Sequence, residues 1–210
     1  MYIAIEGVIC VGKTTLARLL QPALNAEILL EIFEENPFLS DFYGDRERYA
    51  FQTQIFCLLS RYHQQHRNIP ELLVQSENLL SDYTFAKDGL FARINLSGDE
   101  LDMYERVHEA LAEKIRHPDL LVFLRAETQT LMDRIAMRDR PYERNMDSSY
   151  IAALGETYAE FFSKPYNNTP VLTIDTDDLD FVRNPEDLTF ISKKIEEALA
   201  QTPPQPQLLE

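Results

Sequence analysis

Two hundred and ten residues suit one domain of ordinary size, and a chain 45% hydrophobic and 26% charged has globular composition. Twenty basic against 35 acidic side chains leave a formal charge of −15, a field that repels nucleic-acid backbones and anionic lipid, so neither is an expected partner. Two cysteines, Cys10 and Cys57, suit a reducing cytoplasm; no signal-peptide pattern opens the sequence, and no apolar run approaches the ~20 residues that cross a bilayer.

The first six residues, MYIAIE, read as a strand that ends at Gly7. A helix is predicted from about Lys13, with Leu16, Leu19 and Leu20 on one face. Ala26 to Glu31 reads as a second strand, Asp45 to Arg67 as a long helix and Asn78 to Tyr83 as a third strand. A helix over Gly98 to Arg116 leads into the buried strand Leu120 to Ala126. Helices follow over Thr128 to Met137 and Ser148 to Phe162, then the strand Pro170 to Thr176 and a helix over Pro185 to Ala200. Pro203, Pro204 and Pro206 mark a polar tail, 201–210, expected to be disordered. Short apolar strands alternating with helices predict an α/β three-layer sandwich with a five-stranded parallel sheet, one domain over residues 1–200. In such a sheet ligands gather beyond the strand C-termini, here Gly7, Glu31, Asp82, Ala126 and Thr176.

At the first of these ends GVICVGKTT, Gly7 to Thr15, matches G-x-x-x-x-G-K-[ST] between a strand and a helix. Its glycines let backbone amides turn toward phosphate oxygens, and the helix N-terminus adds positive charge. Lys13 is placed to reach the β- and γ-phosphates and Thr14 to offer a hydroxyl to Mg²⁺. Gly7, Val8, Cys10, Val11, Gly12, Lys13, Thr14 and Thr15 are the expected contacts of ATP within a P-loop NTPase fold. Cys10 is either an oxidation-sensitive thiol or a small side chain packing under the loop. No N-K-x-D motif supports a GTPase.

Glu31, at the end of the second strand, can take a proton from an attacking hydroxyl and would repel an acceptor already phosphorylated; a solvated strand-end glutamate is the plain alternative. In AFQTQIFCLLSRYHQ the residues Gln54, Cys57, Leu58 and Arg61 share one helix face, fit either for a flat heterocycle or for solvent. RIAMRDRPYER concentrates Arg134, Arg138 and Arg140 in an acidic protein, a pattern suited to a lid over transferring phosphates.

These features in order, from Met1 to about Ala200, resemble the deoxynucleoside kinase family, bacterial deoxyadenosine/deoxyguanosine kinases in particular. The resemblance implies transfer of the γ-phosphate of ATP to a deoxynucleoside 5′-hydroxyl, with Mg²⁺, in a cytoplasmic homodimer. It implies that Glu31 is the general base, that Gln54 pairs with the nucleobase, and that Arg61 stands seven residues on in the base site. The pattern R-x-x-x-R-x-R-x-x-E is complete in Arg134, Arg138, Arg140 and Glu143, implying phosphate contacts for the arginines and a sugar 3′-hydroxyl contact for Glu143. Tyr43, in NPFLSDFYGD, resembles the tyrosine that shares that hydroxyl.

One motif departs. Where the family carries D/E-R-S after its third strand, this chain has Asp82-Tyr83-Thr84, or less naturally Glu77-Asn78. Asp82 retains a carboxylate for Mg²⁺, and Lys87 is the candidate for the absent arginine. Arg61 with Asp88 matches the charged pair of members that accept purines or cytosine, which favours a purine deoxynucleoside with deoxycytidine next. ATP's adenine is expected near Asp175 to Phe181, whose aspartates either cap the last helix or are solvated. Two other readings stand beside the kinase: a thymidylate-type monophosphate kinase, and an ATP-binding regulatory subunit that has lost catalysis.

Overall fold

The structure, a computed structural model, describes residues 1–32, 36–164 and 166–201. The expected tail therefore lies outside the described residues, apart from Gln201 at the end of the last helix.

Five parallel strands form one sheet: β1 (Tyr2–Gly7), β2 (Ala26–Leu29), β3 (Asn78–Ser81), β4 (Leu120–Arg125) and β5 (Val171–Asp175), in the order β2-β3-β1-β4-β5. The centre of the sheet falls to the most apolar segments. Every residue of β1 is buried, as are the first five of β4, because helices cover both faces and leave no polar side for alternation. Ile5 pairs with Val122 and Gly7 with Leu124 on one side of β1, while Ile3 pairs with Leu80 on the other. The chain order reverses at β1, so the crevice beyond its C-terminal end is the expected ligand site.

The helices are α1 (Lys13–Leu24), α2 (Leu39–Gly44), α3 (Arg46–Gln75), α4 (Ala86–Asn95), α5 (Gly98–Ala112), α6 (Thr128–Arg138), α7 (Ser148–Phe162) and α8 (Pro185–Gln201), with a 3₁₀ turn at Pro141–Glu143. Sequence periodicity predicts most of these, with three differences. The six residues of α2 are too few to show a period. In α4, Ala86, Lys87, Asp88, Leu90 and Ala92 are all buried, so polar and apolar positions do not separate into two faces. α3 continues through Pro70, where a helix ordinarily breaks, because Ile69, Leu72 and Leu73 pack with Tyr2, Leu79 and Tyr83 over the sheet.

β2 is also shorter than its apolar run and closes at Leu29, which leaves Glu31 on the loop beyond the strand. That loop, the P-loop, the β3–α4 connection and the turn after α6 meet at one end of the sheet.

Candidate active site

Gly7 has φ +148°, and a Cβ there would stand 2.4 Å from the Leu124 carbonyl oxygen, so β1 can turn into the loop only at glycine. Gly12 has φ +108°, with the Phe181 ring 2.8 Å from where its Cβ would be. Between them Cys10 takes a left-handed conformation at φ 65°. These turns carry the loop around Lys13, whose Nζ donates to the carbonyls of Gly7 at 2.7 Å and Val8 at 2.9 Å. Burial and the neighbouring Lys87 charge lower the Lys13 pKa to about 8.

Thr14 donates its hydroxyl to Asp82 Oδ2, and Asp82 Oδ1 accepts the Glu31 backbone N–H at 2.8 Å. Since β3 ends at Ser81, Asp82 and not Glu77 occupies the strand end. A hydroxyl and a carboxylate side by side are hard oxygen donors, the set through which Mg²⁺ is held together with nucleotide phosphates. Thr14 and Asp82 therefore fit that ion.

Glu31 sits at the middle of the cleft. Lys87 Nζ donates to its Oε2, and Arg61 donates to its Oε1 through Nε at 2.9 Å and through a second nitrogen. Burial alone would raise the Glu31 pKa, but the charges of Lys87 and Arg61 outweigh it and hold the carboxyl well below the usual carboxylate range. Arg61 also pairs with Asp88, a fully buried residue on the first turn of α4. Burial pushes the Asp88 pKa up to about 6 despite that arginine. The α3 face is not turned to solvent. Gln54, Leu58 and Arg61 are buried, and Cys57, which accepts from Asn36 Nδ2 at 3.2 Å, lines the same cleft as Gln54.

At the other wall Glu143 is buried in the 3₁₀ turn. Arg138 donates to both its oxygens, at 2.7 and 2.6 Å, and Arg140 lies 3.9 Å away. Tyr43 stacks on Tyr142, with ring centroids 5.8 Å apart and planes 14° from parallel. Lys13, Thr14, Glu31, Tyr43, Gln54, Arg61, Asp82, Lys87, Arg138, Arg140 and Glu143 thus line one cleft.

Asp88, predicted to meet the substrate, is fully buried against Arg61 and outside that lining, and two further predicted groups stand elsewhere. Arg134 lies outside that lining, donating to Thr176 O at 2.7 Å and Val11 O at 3.3 Å, and so ties the P-loop to the segment after β5. In that segment Asp175 pairs with Arg125 at 2.9 Å. The Asp177 carboxylate accepts the Glu127 N–H at 2.9 Å, just before α6, while Asp180 accepts from Arg183 N–H in the turn before α8. Two features escaped the sequence reading, one in the cleft and one buried below it. Tyr142 gives no signal except adjacency to Glu143, whereas Glu6, beneath the P-loop, is the one acid inside an otherwise apolar strand.

The deoxynucleoside kinase family model matches residues 3–200. The chain belongs to the deoxynucleoside kinase family. It is 33% identical to the deoxyguanosine kinase of Bacillus subtilis, over 94% of this chain and 97% of that one. It is 35% identical to the deoxyadenosine kinase of Dictyostelium discoideum, over 82% and 71% respectively. The deoxyadenosine kinase of M. mycoides, solved with bound dATP, superposes with a TM-score of 0.80 at 26% identity, covering 93% of this chain and 99% of that one. Among the described residues of this family member, no helix is long and apolar enough to cross a membrane.

Proposed function

We propose that the protein transfers the γ-phosphate of ATP to the 5′-hydroxyl of a purine deoxynucleoside, deoxyadenosine or deoxyguanosine, with deoxycytidine the next acceptor. The observation that carries this reading is Glu31 between Lys87 and Arg61, on the cleft that also exposes Lys13 and Thr14 of the P-loop. The family and its purine-named relatives agree with it.

In this mechanism Gln54 and Arg61 take the base while Tyr43 and Glu143 take the sugar, which brings the 5′-hydroxyl to Glu31. Glu31 accepts the hydroxyl proton as the oxygen bonds to phosphorus and the bond to ADP breaks. A carboxylate of low pKa is a weak base. Phosphoryl transfer proceeds through a loose transition state in which that proton leaves late, so orientation and charge matter more than basicity. Lys13, Arg138 and Arg140 meet the charge on the transferring oxygens, with Arg134, Arg138 and Arg140 on a segment that acts as a lid. Thr14 and Asp82 would hold Mg²⁺, which would supply charge neutralisation at the phosphates. An acceptor already phosphorylated would meet Glu31 and Glu143, which disfavours the monophosphate-kinase reading. One kinase domain over 1–200, a cytoplasmic location and a homodimer complete the proposal.

The base preference rests on Arg61 and Asp88. Asp88→Asn is expected to lower kcat/KM for deoxyadenosine and deoxyguanosine about 10–100-fold, the cost of losing a buried charged hydrogen bond. Thymidine turnover should change by no more than about threefold, because that base does not use the pair. Steady-state kinetics on the four deoxynucleosides check this. An equal loss on every base would remove the assignment.

A further inference from the structure

Glu6 is completely buried at the end of β1, and nothing in the phosphoryl-transfer scheme uses it. A carboxylate without solvent is costly unless donors surround it. Here Oε1 accepts both the backbone N–H of Thr84 at 2.6 Å and the Thr84 hydroxyl at 2.9 Å, and Oε2 accepts the N–H of Gly7 at 3.1 Å. Burial pushes the Glu6 pKa up, and the charges of Lys87 and Lys13 oppose that rise.

The three donors come from the two halves of the cleft. Gly7 is the first residue of the P-loop, and its carbonyl receives Lys13 Nζ at 2.7 Å. Thr84 precedes α4, and its carbonyl receives the Lys87 N–H at 3.3 Å. The first turn of α4 then carries Lys87 to Glu31 and Asp88 to Arg61. One carboxylate therefore joins the start of the phosphate loop to the start of the helix that supplies the acceptor side.

We propose that Glu6 is a positioning residue that sets the register between the ATP-binding loop and the acceptor-binding α4, and so the alignment of the 5′-hydroxyl with the γ-phosphate. Glu6 touches neither substrate. Its contribution is to alignment, in which displacements of about 1 Å can cost two orders of magnitude in rate. The inference rests on the kinase reading given above.

Glu6→Gln keeps the volume and one carbonyl acceptor but turns an NH₂ toward one of the N–H donors. It is expected to lower kcat about 10–100-fold while both KM values stay within about threefold, since each half of the site remains intact. Thr84→Val, which removes one hydroxyl, should lower kcat about fivefold with KM unchanged, and Thr84→Ser should restore it. The valine–serine pair decides the matter if Glu6→Gln fails to fold. Rates are divided by the concentration of ATP-binding sites, so lost protein does not count as lost alignment. Parental kcat in Glu6→Gln, or a loss carried equally by KM, overturns the inference alone. An inactive parent protein overturns it together with the kinase reading.

Discussion

Glu31→Gln is expected to lower kcat by about 10²–10⁴ with ATP affinity unchanged, the range for removing a positioned proton acceptor. The substitution preserves shape and the bond from Arg61, and it removes the charge, the basic oxygen and the acceptor for Lys87. Because the native carboxyl is held below the usual carboxylate range, Glu31 stays ionised at neutral pH and places no acid limb on the rate there. An acid limb near pH 6 belongs instead to Asp88, whose pKa is raised to about 6 and which loses its charge against Arg61 below that value. The same ion pairs predict a stability effect. A depressed native pKa stabilises the fold above the unfolded value, about 4.5, and the contribution is lost as pH falls from there toward the native value. The parent should therefore lose melting temperature more steeply below pH 4.5 than Glu31→Gln does. Parallel acid profiles would mean that Glu31 is not held by Lys87 and Arg61 in solution.

Lys87→Ala is expected to lower kcat about 10²–10³-fold, the cost of removing one preorganised cationic donor from a reacting centre. Lys87 is 9% exposed and bonded to Glu31 Oε2, in the region where family members carry the arginine of D/E-R-S. It lies four residues after Tyr83, on the first turn of α4, which turns it inward to Glu31. Its loss also removes the largest influence that depresses the Glu31 pKa. Glu31 in the variant should accordingly take up its proton at higher pH than Glu31 in the parent, with Arg61 still holding it down. Unchanged turnover in Lys87→Ala would assign the arginine's task to another group.

Much of this site is readable from residues alone, for definite reasons. The P-loop announces itself because two backbone turns demand glycine at Gly7 and Gly12. The strands are readable because β1 and β4 are buried on both faces and cannot tolerate polar alternation. Gln54 and Arg61 share a helix face seven residues apart, which suits a heterocycle or solvent alike, and only their burial excludes solvent. α4 does not, because burial on all sides erases the period, and with it goes the reason Lys87 and Asp88 point into the protein. The run of α3 past Pro70 depends on packing against Tyr2 and Tyr83, segments distant in sequence. Arg134 shows the limit of motif reading: its place in the arginine pattern points to phosphate, while its bonds run to Val11 and Thr176.

The most direct test of the central claim is ADP release from Mg·ATP with each of the four deoxynucleosides, and with dTMP and dCMP, followed by mass analysis of the product. The account predicts that deoxyadenosine or deoxyguanosine is converted fastest, to a nucleoside 5′-monophosphate, and that neither monophosphate is an acceptor. Turnover confined to dTMP or dCMP, or ATP binding without turnover of any of the six, would contradict it.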